Sequence, residues 1–71
     1  MFADPGNNLK YRVWRENGTL CCDIFEDSED CFIIDYDYYN SQLNKRGAEA
    51  LLKCYQNKGY KIEEFKNVEV Q

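Results

Sequence analysis

The stretch Leu9-Lys-Tyr-Arg-Val-Trp-Arg-Glu-Asn-Gly-Thr-Leu-Cys-Cys-Asp-Ile-Phe25 decides the fold. Leu9, Tyr11 and Val13 alternate with Lys10, Arg12 and Trp14, and Leu20, Cys22 and Ile24 alternate with Thr19, Cys21 and Asp23. A repeat of two sends successive side chains to opposite faces of an extended strand. Between the runs stands Asn17-Gly18, a pair that tolerates the positive φ of a type I′ hairpin turn. A two-residue turn there sets Val13 opposite Cys22 and Tyr11 opposite Ile24 on an apolar face. On the other face it sets Arg12 against Asp23, an opposite-charge pair, and Trp14 against Cys21. The apolar pattern and the charge pattern select the same register.

Working outward, Glu26–Asp30 reads as a polar turn and Cys31–Tyr39 as a third strand. Its Phe32, Ile34, Tyr36 and Tyr38 share one face, while Ile33, Asp35, Asp37 and Tyr39 share the other. Asn40 or Ser41, with Asn44 as a later alternative, can cap a helix. Leu43, Gly47, Leu51, Cys54 and Tyr55 then recur at helical spacing, with Ala48 and Leu52 widening the stripe. Gly47 would let that helix lie close on the sheet, and Gly59 stands where a left-handed residue ends a helix. Tyr60–Val70 reads as a fourth strand with a bulge or bend at Glu63–Asn67. The expected architecture is α+β: a small antiparallel sheet in the order β-β-β-α-β with one helix on one face. Residues 1–8, containing Pro5-Gly6-Asn7-Asn8, read as a flexible leader, and 9–71 as a single domain.

A chain of 71 residues holds one small domain, and 44% apolar residues suffice for one core. The net charge is −4 and there is no histidine. A deficit of cations disfavours direct contact with nucleic acid or an anionic membrane. Lack of histidine removes the commonest general acid/base and metal ligand. With no basic-then-apolar leader and no apolar run of bilayer length, the expected compartment is the cytoplasm, where thiols stay reduced.

Cys21, Cys22, Cys31 and Cys54 match neither zinc-ribbon nor redox spacing. Adjacent on a strand, Cys21 and Cys22 would point to opposite faces and could not easily share an ion. Cys22 and Cys54 are expected in the core, as small hydrophobes. A Cys21–Cys31 bridge would require an oxidising compartment, and a cysteine nucleophile lacks a histidine to activate it. No cofactor, metal or catalytic residue is expected, and the chain does not read as an enzyme.

The charge distribution is more telling. Glu16, Asp23, Glu26, Asp27, Glu29, Asp30, Asp35 and Asp37 lie in a segment, Glu16 through Asn44, that contains no Lys or Arg. Solvated turns and edge-protecting charges account for many such bands. A calcium loop at Glu26–Asp30 lacks the required glycine and ligand spacing, and a catalytic pair at Asp35 and Asp37 lacks room for a deep pocket. An acidic docking surface needs only exposure, and aromatic side chains among the acids supply contact area. The candidate partner-binding residues are therefore Trp14, Asp23, Glu26, Asp27, Glu29, Asp30, Asp35, Asp37 and Tyr39.

The expected partner is a protein with a basic surface, a nucleic-acid-processing enzyme being the class whose channel an acidic protein could occupy by mimicking DNA. In size and charge the chain is similar to small acidic proteins of phages and mobile elements, including inhibitors of CRISPR nucleases and restriction enzymes. That likeness is one of composition and no motif carries it. The alternative is a structural protein that forms a homodimer or larger oligomer by pairing an edge strand with its twin.

Overall fold

A computed structural model describes residues 8–65. Five strands and one helix follow in order: β1 (Leu9–Trp14), β2 (Leu20–Ser28), β3 (Cys31–Asp35), β4 (Asn40–Leu43), α1 (Lys45–Asn57) and β5 (Lys61–Glu64). The strands form one sheet in the order β4-β3-β2-β1-β5, with every neighbouring pair antiparallel. This is the α+β architecture that the periodicity predicts, with one strand more than expected. The leader expected at 1–8 lies almost wholly outside the described residues, as do Val68 and Val70 of the expected last strand.

The extra strand arises because the run 31–39 folds back on itself. Tyr36 N–H donates to Tyr39 C=O at 2.8 Å, which closes a hairpin around Asp37-Tyr38. Neither residue is Gly, Asn or Pro, and neither adopts positive φ, so nothing in the sequence marks the turn. Two expectations fail with it. Tyr38 is not on the core face but at the turn's tip, 94% exposed. Tyr39 does not share a face with Asp35 and Asp37; its ring stacks on Tyr36 with centroids 4.8 Å apart. Asn40 and Ser41 become strand residues. Asn44 is the cap, and its Oδ1 accepts from Gly47 N–H at 2.8 Å.

The first hairpin keeps its predicted pairs by an unpredicted route. Tyr11 faces Ile24, Arg12 faces Asp23 and Val13 faces Cys22. The turn, however, is a three-residue loop. Gly18 N–H donates to Arg15 C=O at 3.0 Å, Arg15 N–H donates to Thr19 C=O at 2.8 Å, and Gly18 alone in the loop has positive φ, +89°. That loop would shift every pair by one residue. A β-bulge cancels the shift: Trp14 pairs with Leu20 rather than Cys21, and Cys21 is the surplus residue before Cys22. The bulge also overturns the expectation that Cys21 and Cys22 face apart, since both are buried in the core cluster.

Val13, Cys22, Ile24 and Ile34 are the core's largest fully buried side chains. Alternation alone places them on one sheet face. The helix covers that face with Ala48 and Tyr55, while Leu51 and Leu52 pack beside them. Cys54, expected in the core, is exposed: at roughly 100° per residue it lies about 120° around the helix from Ala48. Leu43 belongs to β4 rather than to the helix stripe. Gly47 serves the cap as well as the packing, because a Cβ there would meet Asn44 Oδ1 at 3.2 Å and the Leu43 side chain at 3.4 Å.

The helix closes as Gly59 predicts. Tyr60 N–H returns to Tyr55 C=O and Gly59 N–H to Gln56 C=O, both at 3.0 Å, with Gly59 at φ +91°. The Tyr55 and Tyr60 rings bracketing this cap stack 5.4 Å apart, and Lys58 Nζ lies over both.

The two left-handed glycines differ in surroundings. A Cβ on Gly18 meets nothing within 4 Å, whereas one on Gly59 would meet Glu16 Oε2 at 2.6 Å. Gly18→Ala should therefore cost only backbone strain, about 1 kcal/mol in urea unfolding. Gly59→Ala should cost more, and adding Glu16→Ala should close most of the gap between them.

Candidate functional site

The strand register sorts the predicted acids into three places. Across the face opposite α1, Asn40, Asp35, Asp23, Arg12 and Glu63 form one row, each facing the next on the neighbouring strand. Arg12 sits between Asp23 and Glu63. Its Nε donates to Asp23 Oδ1 at 2.8 Å and its Nη2 to Asp23 Oδ2 at 3.1 Å, a forked pair. These bonds, with the Asp23 and Glu63 charges, hold Arg12 above its ordinary pKa despite desolvation. Asp23 is therefore already neutralised within the molecule.

The second place is the end of β2 and its turn into β3, which is Glu29-Asp30 rather than the expected Glu26–Asp30 because β2 runs on to Ser28. Glu26 lies 3.3 Å from Lys10 Nζ. Asp30 Oδ1 accepts from Lys45 N–H at 2.9 Å, which caps the helix in favourable alignment with its dipole. Asp27 and Glu29 are exposed. The third place is the opposite end of β3, where Asp37 is exposed at the turn. Five strand residues separate these ends, about 17 Å at 3.3 Å per residue. The sequence-predicted band is thus not one surface.

Asp23, Asp35 and Asp37 do converge. With Leu20, Cys21, Cys22 and Tyr36 they line a cavity of about 270 Å³ at the end of the sheet where the bulge and the Asp37-Tyr38 turn meet. Tyr39 reaches its neighbourhood through the stack on Tyr36. Among the described residues, ion pairs engage Asp23 and Glu26 but neither Asp35 nor Asp37. Trp14 is half-buried one strand away, opposite Leu20, and its Nε1–H donates to Glu63 Oε1 at 3.2 Å. Two open concavities of about 420 and 400 Å³ flank it, bordered by Lys61 together with Arg15 and Glu16 on one side and Glu63 on the other. Its surroundings are of mixed charge, unlike the Asp cavity.

Beneath that cavity lies a cluster of proton-bearing groups. Tyr36 and Tyr55 hydroxyls are 3.2 Å apart, and the Tyr55 hydroxyl also reaches the Cys21 and Cys22 thiols. Burial, the Cys21 thiol and the Asp23 charge push the Cys22 thiol up to about 12, against the effect of the Tyr55 bond. Burial likewise raises Tyr55 and Tyr36 above the tyrosine range. All four cysteines are free. A buried, protonated thiol is a poor nucleophile and metal ligand. Among the described residues no three potential ligands cluster to hold a metal ion, and no helix is long and apolar enough to cross a membrane.

Leu20, Cys21, Cys22 and Tyr36 line this cavity and were not among the predicted residues. The bulge that exposes Leu20 and Cys21 to the cavity carries no sequence signal, and the Tyr38 turn carries none either. No family model matches the chain, and no curated protein or solved structure matches it.

The raised groups give a pH signature. On unfolding, Cys22 returns to 9.0 and Tyr36 and Tyr55 to 10.0, so the unfolded chain loses these protons first as pH rises. Stability contributed by their burial is complete below pH about 9 and should fall steadily as pH climbs toward 12. Urea unfolding across that range should show the decline. Tyr36→Phe should make the slope shallower.

Proposed function

We propose that this domain binds a basic protein surface through the cavity walled by Asp23, Asp35 and Asp37, with Tyr38 and Tyr39 as its aromatic rim. The supporting observation is the cavity itself: three aspartates line one concavity, and among the described residues Asp23 alone of the three has an ion-pair partner. Its volume of about 270 Å³ suits a single Arg or Lys side chain rather than a drug-sized ligand. A guanidinium fits best, because planar donors satisfy two carboxylates and stack on a tyrosine ring. Tyr38 and Tyr39 are the described residues' exposed large aromatics, at 94% and 63%. Tyr and Arg dominate the residues that anchor protein interfaces.

A groove built for nucleic acid is the basic surface that this reading favours. It must present Lys and Arg at intervals, and the domain offers acids at both ends of β3, Asp27 and Glu29 at one and Asp35 and Asp37 at the other. Filling such a groove would exclude nucleic acid, so the biochemical consequence is inhibition by mimicry of phosphate charge.

An oligo-arginine peptide followed by anisotropy tests this reading. Affinity should fall steeply with salt. Asp35→Asn with Asp37→Asn should weaken binding about tenfold, the loss of one desolvated charge contact. Asp27→Asn with Glu29→Gln, at the far end, should weaken it less. Asp30 is left unchanged because it caps the helix. Salt-independent affinity, or equal loss from both double variants, would refute the cavity as the site.

A further inference from the structure

Among the described residues the edge strands of the sheet are β4 and β5, and they are built differently. On β5 the sequence is Lys61-Ile-Glu-Glu64, so charges guard the edge. On β4 it is Asn40-Ser-Gln-Leu43, with no charge, no proline and no bulge. The two exposed aromatics, Tyr38 and Tyr39, stand directly before β4, while Lys45 and Arg46 follow it.

The hydrogen-bond phase of β4 can be read from its hairpin. Tyr36 N–H donates to Tyr39 C=O, so that pair is hydrogen-bonded. In an antiparallel ladder such pairs recur at every second residue. Ser41 and Leu43 therefore turn their backbone groups toward β3, and Asn40 and Gln42 turn theirs outward. An antiparallel strand added at this edge must match outward groups with outward groups.

We propose that β4 is the dimerisation edge of this protein and that its occupant is β4 of a second copy, paired antiparallel about a two-fold axis at Ser41. In that register Asn40 of each copy faces Gln42 of the other, and the two pairs exchange about four backbone hydrogen bonds. Antiparallel pairing also sets the acidic Asp37-Tyr38 turn at one end of β4 in each copy beside the end of β4 from which Lys45 and Arg46 lead off in the other. The segment is self-complementary: acid and aromatic on one flank, base on the other, an uncharged strand between. The five-stranded sheet becomes a continuous ten-stranded one. Charge complementarity favours a second copy over an unrelated extended peptide, which would find the hydrogen bonds but not the paired flanks.

Sedimentation of the protein alone, across a dilution series, tests this without any basic partner and so independently of the cavity. The wild type should dimerise reversibly. Gln42→Pro removes an N–H that points away from β3, and it should weaken the dimer by about tenfold or more. Gln42→Lys, which keeps the backbone intact, should do the same if proline perturbs the strand. Circular dichroism confirms that each variant is folded. Lys45→Glu should also weaken the dimer, and Asp37→Lys in the same chain should restore it. A wild type that is monomeric at every concentration overturns the proposal. So does a dimer indifferent to both Gln42 variants, which would point to β5 or another face.

Discussion

Among the described residues, one helix of 13 residues has to cover a sheet of five strands. Strands lie about 4.8 Å apart, so five span roughly 19 Å, whereas a helix with its side chains is about 10 Å across. The helix nevertheless meets β5, β3 and β4, which include both edges of the sheet. The sheet therefore wraps around the helix, and what the helix cannot reach is filled by tyrosines. Tyr11, Tyr36 and Tyr60 are packed against the core but only partly buried. Tyrosine suits that margin because its ring covers apolar surface and its hydroxyl can still find a partner. The Tyr36–Tyr55 pair is where the margin meets the helix, and the Asp cavity opens just outside it.

Much of the fold was legible because it rests on alternation and on glycine. The pairing of Arg12 with Asp23, the core positions Val13, Cys22, Ile24 and Ile34, and the helix end at Gly59 all follow from one-dimensional patterns. What was not legible lacks a residue-type signal. The Asp37-Tyr38 turn uses no left-handed residue, so the alternation Phe32-Ile34-Tyr36 reads straight through it. The bulge at Cys21 is invisible because two adjacent cysteines are equally plausible inside a regular strand.

The site was legible in composition and not in geometry. A run of acids names a charge, but the strand register decides which acids are neighbours. Asp23 met Arg12, Glu26 met Lys10 and Asp30 went to the helix N-terminus, which leaves four of the predicted acids without a described internal partner: Asp27, Glu29, Asp35 and Asp37. Three of the seven predicted acids are thus consumed in holding the fold. Mutating the band wholesale would confound binding with stability, and Asp30 is the residue where the two are most easily confused.

Near its turn the first hairpin carries two irregularities of one residue each, a long turn and a bulge, and they cancel; a separate shift between Leu9 and Tyr11 comes only at its far end. Beyond Val13 and Cys22 the rest of the molecule senses only their sum. A chain in which one residue is lost from the turn would turn one whole strand inside out, and so would a chain in which the surplus cysteine is lost. A chain that loses both would keep every later contact. The hairpin therefore tolerates change in length only in matched steps, as a parity check tolerates errors only in pairs.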